Sequence, residues 1–168
     1  MADSTPLASL IEQAKNGNLT VGFSNNIVVN ADEFAYIERD CEAFKAKIED
    51  LQLRAQRISE RENWGLGEKT DRLNSAQVLV GRFRGKAMIV DPAKDSANNV
   101  YDILDQHYKI VDDIQILHRT IAQKYREADA TFAAEYDRAM ANMPASPITT
   151  NPPGKIEPGT ISIAVGQS

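Results

Sequence analysis

The run VYDILDQHYKIVDDIQILHRTIAQKYREADATF occupies residues 100–132 and carries Val100, Leu104, His107, Val111, Ile114, His118, Ile121, Tyr125, Ala128 and Phe132 at steps alternating four and three. That is the heptad period of a helix packed along its length against other helices, and no Pro or Gly interrupts it. The pattern predicts a spine helix extending to about Met143, where Pro144 stops it, with Asp91 or Ser96 as its cap.

Upstream, Phe34, Ile37, Cys41, Phe44, Ile48, Leu51, Ala55 and Ile58 repeat the same rhythm. Asn30 is placed to cap this helix, Glu33 stands at the reciprocal capping-box position, and Val29 and Phe34 form a hydrophobic staple. The helix ends at Asn63-Trp64-Gly65-Leu66-Gly67, where glycine supports a turn. Another helix is predicted from about Thr70, with Leu73, Ala76, Val80, Phe83, Ala87 and Val90 in register and Gly81 and Gly85 inside it. Those glycines weaken the helix or admit a neighbouring group. At 1.5 Å per residue the three helices measure roughly 46, 31 and 75 Å. The spine therefore outreaches any single internal partner, so either its two halves pack on different helices or its excess stripe is covered by the N-terminal segment or by another chain, the last being the favoured reading.

The expected fold class is all-α: an elongated helical hairpin or bundle of two to three long heptad-patterned helices. Three regions follow. Residues 1–30 hold a short helix, with Thr5-Pro6 at its start, Leu7, Leu10, Ile11 and Ala14 on one face and Gly17 at its end. An extended or hairpin arm of Leu19–Phe23 and Ile27–Val29 follows it. Residues 31–143 form the bundle, and 144–168, with five prolines, form a flexible, disordered tail in which Ile161, Ile163 and Val165 alternate.

Chemistry leaves few marks. The net charge of -5 argues against nucleic acid as the main partner. Lys69, Arg72, Arg82, Arg84 and Lys86 against Asp71 make residues 69–90 net +4, read as a face complementary to the acidic stretch that follows. The lone Cys41 excludes an internal disulfide and reads as a buried, inert thiol. His107 and His118 are about three helical turns apart, too far to share one metal, and read as polar register positions. Asp102, Asp105, Asp112 and Asp113 read as a solvated acidic face. No phosphate-binding loop, nucleophile elbow or Cys-x-x-Cys is present, so the expectation is a protein that is not an enzyme and uses no cofactor or metal. The N-terminus Met1-Ala2-Asp3-Ser4 lacks a signal-peptide pattern, and no run reaches the length of a membrane span.

A Trp-Gly turn between two heptad helices resembles the WXG-type helical-hairpin substrates of bacterial type VII secretion, whose turn carries Trp-x-Gly. Here Leu66 stands where the motif glycine belongs, and Gly67 comes one position later. The same substrates carry Tyr-x-x-x-Asp/Glu late in the hairpin, and Tyr125-Arg126-Glu127-Ala128-Asp129 fits that pattern. Tyr36, Tyr101 and Tyr108 also have Asp four residues on, but Tyr125 alone lies late in the last helix, ahead of the tail. The resemblance implies a signal read by a secretion ATPase at Tyr125 and Asp129, completed by the Trp64 and Gly65 turn of this or a partner chain. It also implies a helical protein partner, either a second copy or a related chain, and cytoplasmic synthesis followed by export to the medium or cell surface in a folded, paired state. The alternative is a cytoplasmic coiled-coil adaptor or scaffold subunit with no export role.

Overall fold

The computed structural model describes residues 5–20, 29–96 and 98–148. Five helices appear among them, α1 (Ala8–Lys15), α2 (Ala31–Glu60), α3 (Asn74–Ala87), α4 (Val100–Ala128) and α5 (Ala130–Ala141), and no strand. Most of the proposed arm, residues 21–28, and the tail from residue 149 onward lie outside the described residues.

The frame is an antiparallel pair of α2 and α4. Lys45 Nζ reaches Asp112 at 3.0 Å and sits over the Tyr108 ring, while Phe34 at the start of α2 lies 5.8 Å from His118 near the end of α4. Much of what the pair buries is small or polar: Ala31, Ala35, Ala55, Ala122 and Gln115. The Gln115 amide donates to Glu38 Oε1 at 2.8 Å and to Glu42 Oε2 at 3.1 Å, and Arg119 also pairs with Glu38. A buried amide with its donors used fixes register at little net cost, because leaving it unpaired would cost about 1–3 kcal/mol.

Asn30 caps α2 as the sequence indicates, its Oδ1 accepting from the Asp32 N–H at 2.9 Å, and Val29 and Phe34 both pack against the core. Gly17, at φ +70, ends α1. The cap of α4 is a correction. Neither Asp91 nor Ser96 fills that place. Asn99, 1% exposed, accepts from the Asp102 N–H and donates back to the Asp102 carboxylate.

A larger correction concerns the spine. It does not run to Met143: α4 ends at Ala128, and Asp129 turns the chain with φ -137 and ψ 111. The Asp129 carboxylate accepts from the Thr131 and Phe132 N–H groups at 2.8 and 3.2 Å. A short carboxylate that satisfies the free donors of a new helix competes well with continuation of the old one. Then α5 folds back onto α2, burying Phe132 and Tyr136 with Ala31 and Ala35. With 29 residues in α4 against 30 in α2, the two are matched in length, so the excess-length argument for a partner chain falls. α1 also packs on α4, where buried Asp113 accepts from the Leu7 N–H at 2.8 Å.

Burial corrects the seams as well. On α2, Ile48 and Ala55 are buried, but Phe44, Leu51 and Ile58 are exposed. On α4, Leu104, Val111, Ile114, His118, Ile121 and Tyr125 are half-buried, whereas Val100 and His107 are exposed and Phe132 belongs to α5. Each helix meets the other through the side carrying its small and pairing residues, and that side lies beside the bulkier stripe.

The second predicted helix stops at Ala87, so Val90 lies in the following loop, where Asp95 accepts from the Val90 and Asp91 N–H groups, both at 2.8 Å. Asp95 rests on Gly85: a Cβ there would stand 2.0 Å from its Oδ1, while Gly81 faces open space. Two opposite outcomes are expected. Gly81→Ala should stabilise by roughly 0.5–1 kcal/mol through helix propensity and unfolded-state entropy. Gly85→Ala should destabilise by about 1 kcal/mol or more by dislodging Asp95. Thermal unfolding followed by circular dichroism checks both.

Candidate functional site

Trp64 and Tyr125, linked by the resemblance, sit at opposite ends of the bundle. Trp64 follows the last turn of α2, and Tyr125 packs 6.0 Å from Phe34 in its first turn. The intervening helix separates them by roughly 40 Å. Within one chain, the turn and the Tyr125–Asp129 pair are therefore two separate places.

At the tip, the chain between Trp64 and Gly67 wraps around one carboxylate. Glu68 accepts from the N–H groups of Trp64 (2.6 Å), Gly65 (3.3 Å) and Leu66 (2.9 Å). Such convergence requires backbone that L side chains rarely adopt, and Gly65 and Gly67 supply it at φ +71 and +86. Both glycines are thus used, although the motif spacing is not kept. The indole of Trp64 stacks on Phe83 at 5.7 Å, lies under the Arg61 guanidinium and donates to the Arg61 carbonyl at 3.1 Å, fastening the turn to α3. Leu66, Leu73, Leu79 and Phe83 remain exposed around it.

Backbone N–H bonds hold the Glu68 carboxyl below its ordinary range. A depressed carboxylate contributes stability above its unfolded pKa and loses it as pH falls through the folded value. Acidification below about pH 4.5, the ordinary value, should therefore loosen the tip and change Trp64 fluorescence before global unfolding. Glu68→Gln should show the altered emission already at neutral pH.

At the other end lies the corner between α4 and α5. Tyr125 is half-buried, with Phe132 at 5.3 Å and Phe34 at 6.0 Å. Phe132 in turn packs on Phe34 edge-on at 5.8 Å and stacks on Tyr136 at 6.2 Å. Arg126 lies over the Tyr136 ring and pairs with Asp137 at 2.9 Å. Asp129 is exposed, its N–H donating to the Tyr125 carbonyl at 2.8 Å, so backbone joins the two motif residues while Oδ1 caps α5. Tyr125 also lines a cleft of about 440 Å³, together with Ala14, Gly17 and Leu19 from the N-terminal segment and Ile121 and Ala128 of α4. Beyond α5, the first residues past Pro144 lie on α2: Arg39 donates to the Pro144 carbonyl at 3.1 Å, and Ser146 donates to Asp40 at 2.6 Å.

The remaining candidates fall elsewhere. His118 borders Phe34, its buried Nδ1 has no partner, and burial pushes its pKa down, while His107 is exposed on α4. Cys41 is half-buried and its thiol is pushed up, mainly by burial, which leaves it protonated and poorly nucleophilic. Of the basic cluster, Arg84 donates to the Ser59 carbonyl and Lys86 to that of Asn98, which fastens α3 to its neighbours. The described residues contain no group of three or more His, Cys, Asp or Glu side chains placed to hold a metal ion, and no helix among them is long and apolar enough to cross a membrane.

Two features escaped the sequence reading. Glu68 was signalled by a Gly-x-Gly turn followed at once by an acid. The aromatic setting of Tyr125 was signalled by Phe132 and Tyr136, one turn apart beyond an Asp able to cap. Comparison with protein families, characterised proteins and solved structures finds no match for this chain.

Proposed function

We propose that this chain is a non-enzymatic helical protein acting by helix association, as a type VII secretion substrate or as the partner that escorts one. The observation that carries the proposal is the corner of α4 and α5, where Asp129 is exposed beside a tyrosine fixed in an aromatic cluster. A recognition signal needs a rigid, accessible pair, and capping plus ring packing supply the rigidity. Tyr125 and Asp129 are the residues read by the secretion ATPase. The Trp64 turn lies too far away to complete that signal in the same chain, so any contribution from it comes from a second chain. The protein is made in the cytoplasm and exported from it to the medium or cell surface.

The test is export in host cells carrying either the intact secretion ATPase or one with its ATP site inactivated. Intact protein should reach the medium or cell surface only in the first. Retention in both, with a stable intracellular complex, supports the adaptor or scaffold alternative, and equal export from both rejects dependence on the ATPase.

A further inference from the structure

The side of α2 that α4 leaves open carries Phe44, Leu51 and Ile58, all exposed, and α4 exposes Ile110, Ile103 and Val100. Each stripe is turned in the same sense from its helix's contact residues, Phe44 and Leu51 from Ile48, and Ile103 and Ile110 from Leu104 and Val111. In antiparallel helices equal turns face the same flank. Lys45 lies level with Tyr108 and Asp112, which sets Phe44 near Ile110, Leu51 near Ile103 and Ile58 near Val100. The flank is thus a shallow apolar trough, its α2 members spaced by about 10 Å.

The chain leaving α5 is carried to the head of that trough. Arg39 donates to the Pro144 carbonyl at 3.1 Å, Ser146 donates to the Asp40 carboxylate at 2.6 Å, and the Ile148 N–H donates to Ser146 Oγ at 3.1 Å. Arg39 is one turn beyond Ala35, on the side of α2 that α5 covers, and Asp40 is about 100° further round. From Asp40 the steps to Phe44, Leu51 and Ile58 are four, seven and seven, which keep to one face of a helix. Residues 144–148 therefore cross the outside of α2 from the α5 side and arrive in line with the stripe.

The sequence that follows is suited to it. Residues 149–168 hold Lys155 and Glu157 as their only charged side chains, and past Glu157 come Ile161, Ile163 and Val165 at the period that puts all three on one side of an extended chain. From Ile148 to Ile161 is 13 residues, a reach of up to roughly 43 Å, whereas Asp40 to Ile58 spans about 27 Å of helix. Pro152, Pro153 and Pro158 narrow the conformations open to the connecting stretch and so lower the cost of ordering it. A tethered segment also acts at an effective concentration near millimolar, so a contact too weak to hold a separate chain can hold this one.

We infer that residues 161–165 dock in cis into the trough, against Leu51 and Ile103. A partner for this flank must first displace them, which makes the segment an autoinhibitory cover on an association surface. The inference rests on the fold and not on export, so its failure leaves the ATPase test standing.

In a Cys41→Ser background, Leu51→Cys combined with Ile163→Cys should form a disulfide within one chain on mild oxidation, at monomeric mass and to an extent independent of protein concentration. Ala134→Cys, on the exposed surface of α5, should link to Ile163→Cys roughly tenfold more slowly, and Leu51→Cys and Ile163→Cys on separate chains should link little. With Leu51→Cys alone, replacing Ile161, Ile163 and Val165 by Ser should speed thiol modification roughly tenfold, the ratio for a cover closed about nine-tenths of the time. Leu51 and Ala134 are exposed, so helicity by circular dichroism should be unchanged throughout. Disulfides formed mainly between chains, equal linking at Leu51→Cys and Ala134→Cys, or a Leu51→Cys thiol indifferent to the three serines would overturn the inference.

Discussion

Phe132→Ala is expected to release α5 from the bundle and to cost about 3–5 kcal/mol. Phe132 is 6% exposed and touches rings from three directions: Phe34 of α2, Tyr125 of α4 and Tyr136 one turn on. Around it the core is built from Ala31, Ala35 and Ala122, whose methyl groups have no freedom to fill the void. In a domain of this size the loss corresponds to a fall in Tm of roughly 6–20 °C. Calorimetry gives the magnitude. Hydrogen exchange locates it, with protection lost first over residues 130–141.

Asp129→Ala and Asp129→Asn should separate two roles that one carboxylate combines. Alanine removes the acceptor for the Thr131 and Phe132 N–H groups, and loss of an N-cap costs about 1 kcal/mol, up to about 2. Asparagine keeps an oxygen in that place and should leave the unfolding free energy within about 0.5 kcal/mol of the parent while abolishing the negative charge. The alanine variant therefore disturbs fold and recognition together, and the asparagine variant disturbs recognition alone. Tyr125 offers no comparable separation by truncation, because its ring is part of the packing around Phe132.

What the sequence disclosed follows from how local its signals are. Asn30 and the staple of Val29 and Phe34 lie within one turn, and heptad spacing reveals a helix without knowledge of its neighbours. The break at Asp129 was hidden because an acid interrupts a helix only when the next helix has somewhere to pack, and that surface on α2 is nearly 100 residues away in the chain. Similarly, heptad spacing identified Phe44, Leu51 and Ile58 as apolar without indicating that α4 would take the neighbouring side. That choice was made by Glu38, Glu42 and Lys45 meeting Gln115 and Asp112, polar groups that apolar counting ignores. Asn99 was passed over for Asp91 and Ser96, although Asp102 three residues on marks the reciprocal cap it makes.

For the functional site, the resemblance offered a constellation of Tyr125 and Asp129 with the Trp64 turn of this or a partner chain. Folding α2 between them divides it. The tip keeps an ordered carboxylate nest and an exposed apolar rim, and the far corner keeps a capped, rigid Tyr-Asp pair.

The most direct test of that pair as an export signal is the amount of Asp129→Asn protein released by cells with an active secretion ATPase, relative to the unmodified chain at equal intracellular level. The account predicts loss of export with unchanged Tm and helicity. Undiminished release of the folded Asp129→Asn chain would contradict it.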